Sequence, residues 1–129
     1  MPSNHDIIRD HYAASDRGDI DGMLAPLAPD ARWTEMAGFP YAGTYIGPDE
    51  VRRGVFERIA AEWDGYTAAI TELVDGGDTI VGLGTYSGTH RATGRFFEAR
   101  VAHVWRLAGG QVVAFEQFTD TALVRDALA

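Results

Sequence analysis

Apolar positions change their period along the chain, and the changes divide it into elements. Behind Ser3, the residues Ile8, His11, Tyr12 and Ser15 fall on one helical face, and Ser3 with Asp6 forms a capping-box pattern. The spacing predicts a first helix running to about residue 17. Gly18 closes it, and Asp19 caps a short second helix carrying Met23, Leu24 and Leu27, ended by Pro26 and Pro29. Over 31–36 the period drops to two, with Ala31, Trp33 and Glu35 on one side and Arg32, Thr34 and Met36 on the other. This is a first strand. Residues 37–47 hold three glycines and Pro40 among Phe39, Tyr41 and Tyr45, which reads as an ordered aromatic loop that covers something. Gly47-Pro48-Asp49-Glu50 starts a third helix, whose buried stripe is Val51, Val55, Ile59 and Trp63 and which Asp64-Gly65 ends. Four long strands follow, over about 66–75, 79–89, 95–107 and 111–119, with Gly-rich turns between them. Thr119 or Asp120 caps a last helical turn carrying Leu123 and Leu128.

Helix, helix, strand, helix and then an antiparallel meander is an α+β pattern, in which helices cover one face of a curved, mainly antiparallel sheet. Strands about twice the usual length need curvature or bulges, and a curled sheet closed by three N-terminal helices makes a cone-shaped α+β barrel with an interior. Residues 1–129 are expected to form one domain, since a chain of this size builds one core.

Composition removes whole classes of chemistry. All eleven basic residues are Arg, and Cys is absent, so Schiff-base lysines, thiol nucleophiles, disulfides and cysteine metal sites are excluded. A net charge of -8 repels a phosphate backbone, and no nucleic-acid partner is expected. No basic start precedes an apolar stretch and no apolar run approaches the roughly 20 residues of a membrane span, so a cytoplasmic location without membrane contact is expected. His5, His11, His90 and His103 have no metal-ligand spacing, and neither a phosphate-binding loop nor a serine-hydrolase elbow occurs; no metal or cofactor is expected.

Two lone polar groups sit on apolar faces. Phe97, Ala99, Val101, His103, Trp105 and Leu107 share one side of a predicted strand, and His103 is the polar member. It is either a core histidine satisfied by a partner or a group that meets a ligand. Glu35 shares a face with Ala31 and Trp33; it either reaches solvent at the strand end or is buried, in which case its pKa must rise.

Tyr12-Ala13-Ala14 with Gly18 to Gly22, Trp33-Thr34-Glu35, Gly38-Phe39-Pro40-Tyr41, Gly43-Thr44-Tyr45, Ala92-Thr93-Gly94, His103-Val104-Trp105 and Phe115 to Thr121 stand in order along nearly the whole chain. In these stretches the sequence resembles the SnoaL-like and ketosteroid-isomerase-related branch of the nuclear transport factor two-like superfamily. That fold hosts isomerases, cyclases, dehydratases, epoxide hydrolases and non-catalytic binding modules. The resemblance implies that Glu35 stands where ketosteroid isomerases carry their proton-shuttling carboxylate and His103 near one of their oxyanion donors. His11 matches the oxyanion Tyr in an ungapped alignment, with Tyr12 one residue away and about 100° around the helix. An acid-Arg-acid relay of the epoxide-hydrolase kind lacks its acid, since Gln117 stands at the matching place.

The resulting expectation is a closed pocket for one small hydrophobic or carbonyl-containing molecule. Glu35 and His103 are the catalytic candidates, and His11, Tyr12, Trp33, Tyr45, Trp63, Tyr86, Trp105, Phe115 and Gln117 the substrate-binding ones. Gln117 either bonds a ligand carbonyl or holds Glu35 or His103. Gly82 and Gly84 share the inward face of Tyr86 and either leave room for a ligand or serve strand curvature. Two functions fit: an isomerase, lyase or cyclase working without a cofactor through carboxylate proton abstraction next to a carbonyl, or a non-catalytic small-ligand-binding or dimerisation module. A homodimer is expected from the opposite face of the last strand, where Val112, Ala114, Glu116 and Phe118 are too apolar to stay wet.

Overall fold

The computed structural model describes residues 2–129. Helix α1 (Asn4–Asp16) starts with the capping box, Ser3 Oγ accepting from the Asp6 N–H at 3.1 Å and the Asp6 carboxylate accepting from the Ser3 N–H at 3.4 Å. It buries Ile8, His11, Tyr12 and Ala14. Gly18, at φ +70, turns the chain into α2 (Ile20–Leu24), which Asp19 caps by accepting from the Gly22 N–H.

Strand β1 (Leu27–Glu35) begins four residues before the alternation predicts, so Leu27 belongs to a strand and not to the second helix. The cause is a neighbour remote in sequence: the Val112 N–H donates to the Pro26 carbonyl at 2.8 Å, and Leu27 pairs with Val112. Pro29 falls in the register shift between Leu27 and Arg32, where its missing N–H costs no ladder bond. The aromatic loop contains a further strand, β2 (Gly43–Ile46), antiparallel to β1. Four residues, mostly exposed, leave too short an alternation to read.

The next helix is continuous but not uniform: α3 (Gly47–Val51), one π-helical turn over Arg52–Phe56, and α4 (Glu57–Glu62). Gly54 sits in that turn because the Tyr45 ring fills its side-chain space; a Cβ there would lie 2.2 Å from Tyr45 Cε1. Trp63 is not the last residue of this helix. Its backbone is extended (φ -126, ψ 145), and it opens β3 (Trp63–Gly76) opposite His90.

Strands β4 (Thr79–His90), β5 (Phe96–Ala108) and β6 (Gln111–Thr119) complete one sheet in the order β2-β1-β6-β5-β4-β3. Every pairing is antiparallel except β1 with β6, which brings Glu35 from the start of the chain beside residues near its end. Burial alternates strictly along β5, with His103 and Trp105 inside. Register shifts in β3 and at Arg106/Leu107 curl the sheet into a cone. Gly84 serves that curvature: a Cβ would stand 2.1 Å from the Ala69 carbonyl oxygen, beside the shift at Ile70/Glu72. The shift at Leu107 also turns Val112 inward, so it joins the core and not the outer face of β6. Helix α5 (Thr121–Asp126), capped by Asp120, plugs the end of the cone with Val124 and Ala127, while Leu123 is exposed.

Candidate functional site

Between α1, the π-helical turn and the inner face of the sheet lies a cavity of about 370 Å3. Its interior is aromatic: Trp33 stacks on Phe115 with centroids 3.8 Å apart, and Trp105 stands edge-on to Trp33 at 5.5 Å. These rings are packed against the sheet and form a rigid floor. The rim is formed by half-buried Ser15 and Ile20 with exposed Gly18, Ala60 and Gly65. A volume in this range suits one small organic molecule.

Glu35 projects into the cavity from the last position of β1 and is 4% exposed. The parity of β1 turns it inward, and the β2 pairing prevents the strand end from fraying toward water. Among the described residues it has no hydrogen-bond partner and no ion pair. Burial therefore dominates and pushes its pKa from 4.5 up to about 8, an effect that the nearby Trp33 indole only partly offsets. That indole falls short of hydrogen-bond geometry, since Trp33 Nε1 is buried without a partner. A carboxyl that is neither hydrogen-bonded nor paired in a cavity is poised to exchange a proton with whatever enters.

His103 is bonded on both sides of its ring. Nδ1 lies 2.7 Å from Tyr12 Oη, and Nε2 lies 2.5 Å from Tyr86 Oη. Trp105 Nε1–H donates to Tyr12 Oη at 2.8 Å, and Gln117 Nε2–H donates to Tyr86 Oη at 3.1 Å. Desolvation lowers the His103 pKa from 6.5 to about 3, so the ring is neutral at pH 7. Gly82 leaves room for this network and not for a ligand, since a Cβ on it would meet Tyr12 Oη at 2.7 Å.

His11 and Tyr12 both line the cavity, although one helical step separates them. His11 Nδ1–H donates to the Met23 carbonyl at 2.9 Å, which leaves Nε2 an acceptor in a ring whose pKa burial lowers to about 4. In that tautomer it cannot donate to a carbonyl. Trp33, Trp63, Tyr86, Trp105 and Phe115 line the cavity as well. Tyr45 and Gln117 do not. Tyr45 packs on Gly54 and donates to the Tyr41 carbonyl, and the Gln117 side chain hydrogen-bonds neither Glu35 nor His103 but Tyr86 and the Met36 N–H. Trp63 and Tyr45 thereby lock the aromatic loop: Tyr41 Oη accepts from Trp63 Nε1, donates to Glu62, and its ring carries the Arg58 guanidinium at 4.4 Å.

Sequence reading passed over Tyr66. Its hydroxyl is buried without a partner, faces the cavity, and feels the Glu35 charge. Alternation was its signal, because Tyr66, Ala68 and Ile70 are partly buried while Thr67, Ala69 and Thr71 are exposed. Among the described residues no three His, Asp or Glu side chains gather as metal ligands. No helix among them is long and apolar enough to cross a membrane.

A curled sheet closed by helices around an aromatic pocket with a single unpaired carboxyl defines a cone-shaped α+β pocket protein of the nuclear transport factor two-like superfamily. The chain belongs to the SnoaL-like domain family within it, whose match spans residues 8–115. A nuclear transport factor two-like protein from Burkholderia thailandensis is 57% identical over 100% of this chain and 99% of its own, with a TM-score of 0.98. TerC, co-crystallised with polyporic acid, is 26% identical over 97% of each chain, with a TM-score of 0.84. IdmH from Streptomyces antibioticus, a proposed polyketide cyclase, is 26% identical over 96% of each chain, with a TM-score of 0.76. Comparison with functionally curated proteins finds no match.

Proposed function

We propose that this protein is an isomerase, lyase or cyclase that needs no cofactor, in which Glu35 moves a proton at a carbon next to a carbonyl of a small, largely apolar substrate. The observation that carries this reading is the Glu35 carboxyl, buried and unpaired at the cavity wall with its pKa raised to about 8. The polyporic acid complex of TerC and the cyclase role proposed for IdmH support a small organic substrate. At pH 7 only about one carboxyl in ten is ionised, so a base with this pKa gains activity with rising pH. With a turned-over carbonyl compound, kcat/KM should climb tenfold per pH unit up to about 8 and then level. A profile already flat from pH 5 to 9 would contradict the assignment.

One observation favours a second reading, a non-catalytic small-ligand-binding or dimerisation module: both ring nitrogens of His103 are spent within the protein, as in a structural core histidine. The two readings share one quaternary proposal. On the sheet face turned away from the pocket, Leu83, Ala102 and Phe118 form a cross-strand row, beside Val81 and Val104, and Phe118 is 44% exposed. A second copy covering this row gives a homodimer. Light scattering at micromolar concentration should return twice the chain mass, and Phe118→Asp should return the monomer; a monomeric wild type contradicts the proposal.

A further inference from the structure

We propose that Tyr86 is a donor this pocket offers to a carbonyl or enolate oxygen, beside the unpartnered Tyr66 hydroxyl, and that His103 is a positioning residue whose tautomer aims the Tyr86 hydroxyl proton at the ligand. The proposal rests on the proton-transfer reading of Glu35 and goes beyond it by naming a group that takes up the developing negative charge.

It follows from counting hydrogens. The Trp105 indole can only donate, so Tyr12 Oη is its acceptor. The Gln117 amide is oriented by the Met36 N–H, which donates to Oε1 at 3.4 Å, so Nε2 is the end that donates to Tyr86 Oη. Two bonds remain, from His103 Nδ1 to Tyr12 and from Nε2 to Tyr86. A neutral imidazole brings one hydrogen to them, and a tyrosine must supply the other. One phenol proton is thus spent on His103. The second has no protein acceptor among the described residues.

The tautomer decides where that proton stands. With hydrogen on Nδ1 it stands on Tyr12, whose hydroxyl is pressed against Gly82 and leaves a ligand little space. With hydrogen on Nε2 it stands on Tyr86; both phenols line the cavity, but only Tyr86 feels the Glu35 charge. The second arrangement aligns a chain: Tyr12 O–H to Nδ1, Nε2–H to Tyr86, and Tyr86 O–H to the ligand, with Trp105 and Gln117 donating behind the two phenols. Each donated bond polarises the next, so a site without a nearby cation can hold an enolate oxygen. The matching ligands carry an oxygen that is, or becomes, anionic within a flat apolar frame: enolisable ketones, enols and acidic phenols.

The test uses the full chain with 15N-labelled histidine and 4-nitrophenol as probe, whose absorbance reports its ionisation. In the wild-type complex His103 should settle as the Nε2–H tautomer, a readout that a merely structural histidine would not couple to ligand. Tyr86→Phe should weaken nitrophenolate binding by about 10- to 100-fold, and Tyr12→Phe by less. The Nδ1–H tautomer in the complex, a larger loss from Tyr12→Phe than from Tyr86→Phe, or no nitrophenolate binding by the wild type overturns the proposal. The tautomer is read in the wild type and so does not depend on either variant folding. Glu35→Gln separates this inference from the reading it rests on: full activity in that variant sinks the Glu35 assignment, while the tautomer and the Tyr86 affinity loss continue to judge the donor.

Discussion

Glu35→Gln is expected to remove proton transfer, lowering kcat/KM by about 10²- to 10⁴-fold, while the protein melts no lower than wild type and clearly higher above pH 8. The two effects share one cause. Gln keeps the volume and a carbonyl acceptor beside Trp33 but cannot take a proton at neutral pH. In the folded wild type the Glu35 pKa is raised from 4.5 to about 8, so the fold prefers the protonated form. Its stabilising contribution is complete below about pH 4.5 and is lost as pH rises through 8. Gln lacks that loss. At pH 8.5 the raised pKa costs the wild type about 5 kcal/mol, so the variant should gain on the order of 10 °C or more in Tm, using about 3 °C per kcal/mol for a chain of this size. Calorimetry at pH 5 and pH 8.5 checks the sign; a variant that melts much lower than wild type at both pH values marks Glu35 as a structural partner instead.

Acid should unfold the protein at an unusually mild pH, through His11 and His103. Both rings are buried and neutral, with pKa values lowered from 6.5 to about 4 and about 3 by desolvation. The sign is opposite to that of Glu35: the unfolded chain binds protons more readily, so stability is lost as pH falls below 6.5 toward the folded values. At pH 4.5 each ring costs about 3 kcal/mol, and the pair approaches the whole stability of an ordinary domain. Asp6 and Asp19 act in the same direction, since their capping bonds at the surface lower their carboxyl pKa values. A Tm that falls steeply between pH 6 and 4.5, with protons taken up on unfolding, is the expected calorimetric result. A Tm independent of pH over that interval contradicts the burial of both rings.

Local signals carried much of the fold. The capping box at Ser3, the Asp19 cap and the alternation of β5 are encoded within a few residues of where they act, and each stands where its pattern indicates. What pattern could not supply came from remote neighbours: β1 starts early because β6 offers it a pairing edge, β2 exists because β1 does, and Trp63 leaves its helix to pair with His90. The same division holds at the pocket. Parity turns Glu35 and His103 inward, but no spacing says that His103 is consumed by Tyr12 and Tyr86, or that Gln117 serves Tyr86. The Tyr12 bond depends on where α1 crosses the sheet, and those of Tyr86 and Gln117 on the register of β4, β5 and β6. Gly82 and Gly84, alike in sequence, do different things for the same reason: one faces a tyrosine hydroxyl and the other a backbone carbonyl.

Proton transfer by Glu35 requires that its carboxyl ionise near neutral pH, which can be measured without knowing the substrate. A titration of the wild type with 13C-labelled glutamate side chains, with the Glu35 signal assigned by its absence in Glu35→Gln, should show the Glu35 carboxyl with a midpoint near 8. A Glu35 midpoint in the ordinary carboxylate range, around 4 to 5, would mean that the group is solvated or paired in solution, and the proton-transfer reading would fall with it.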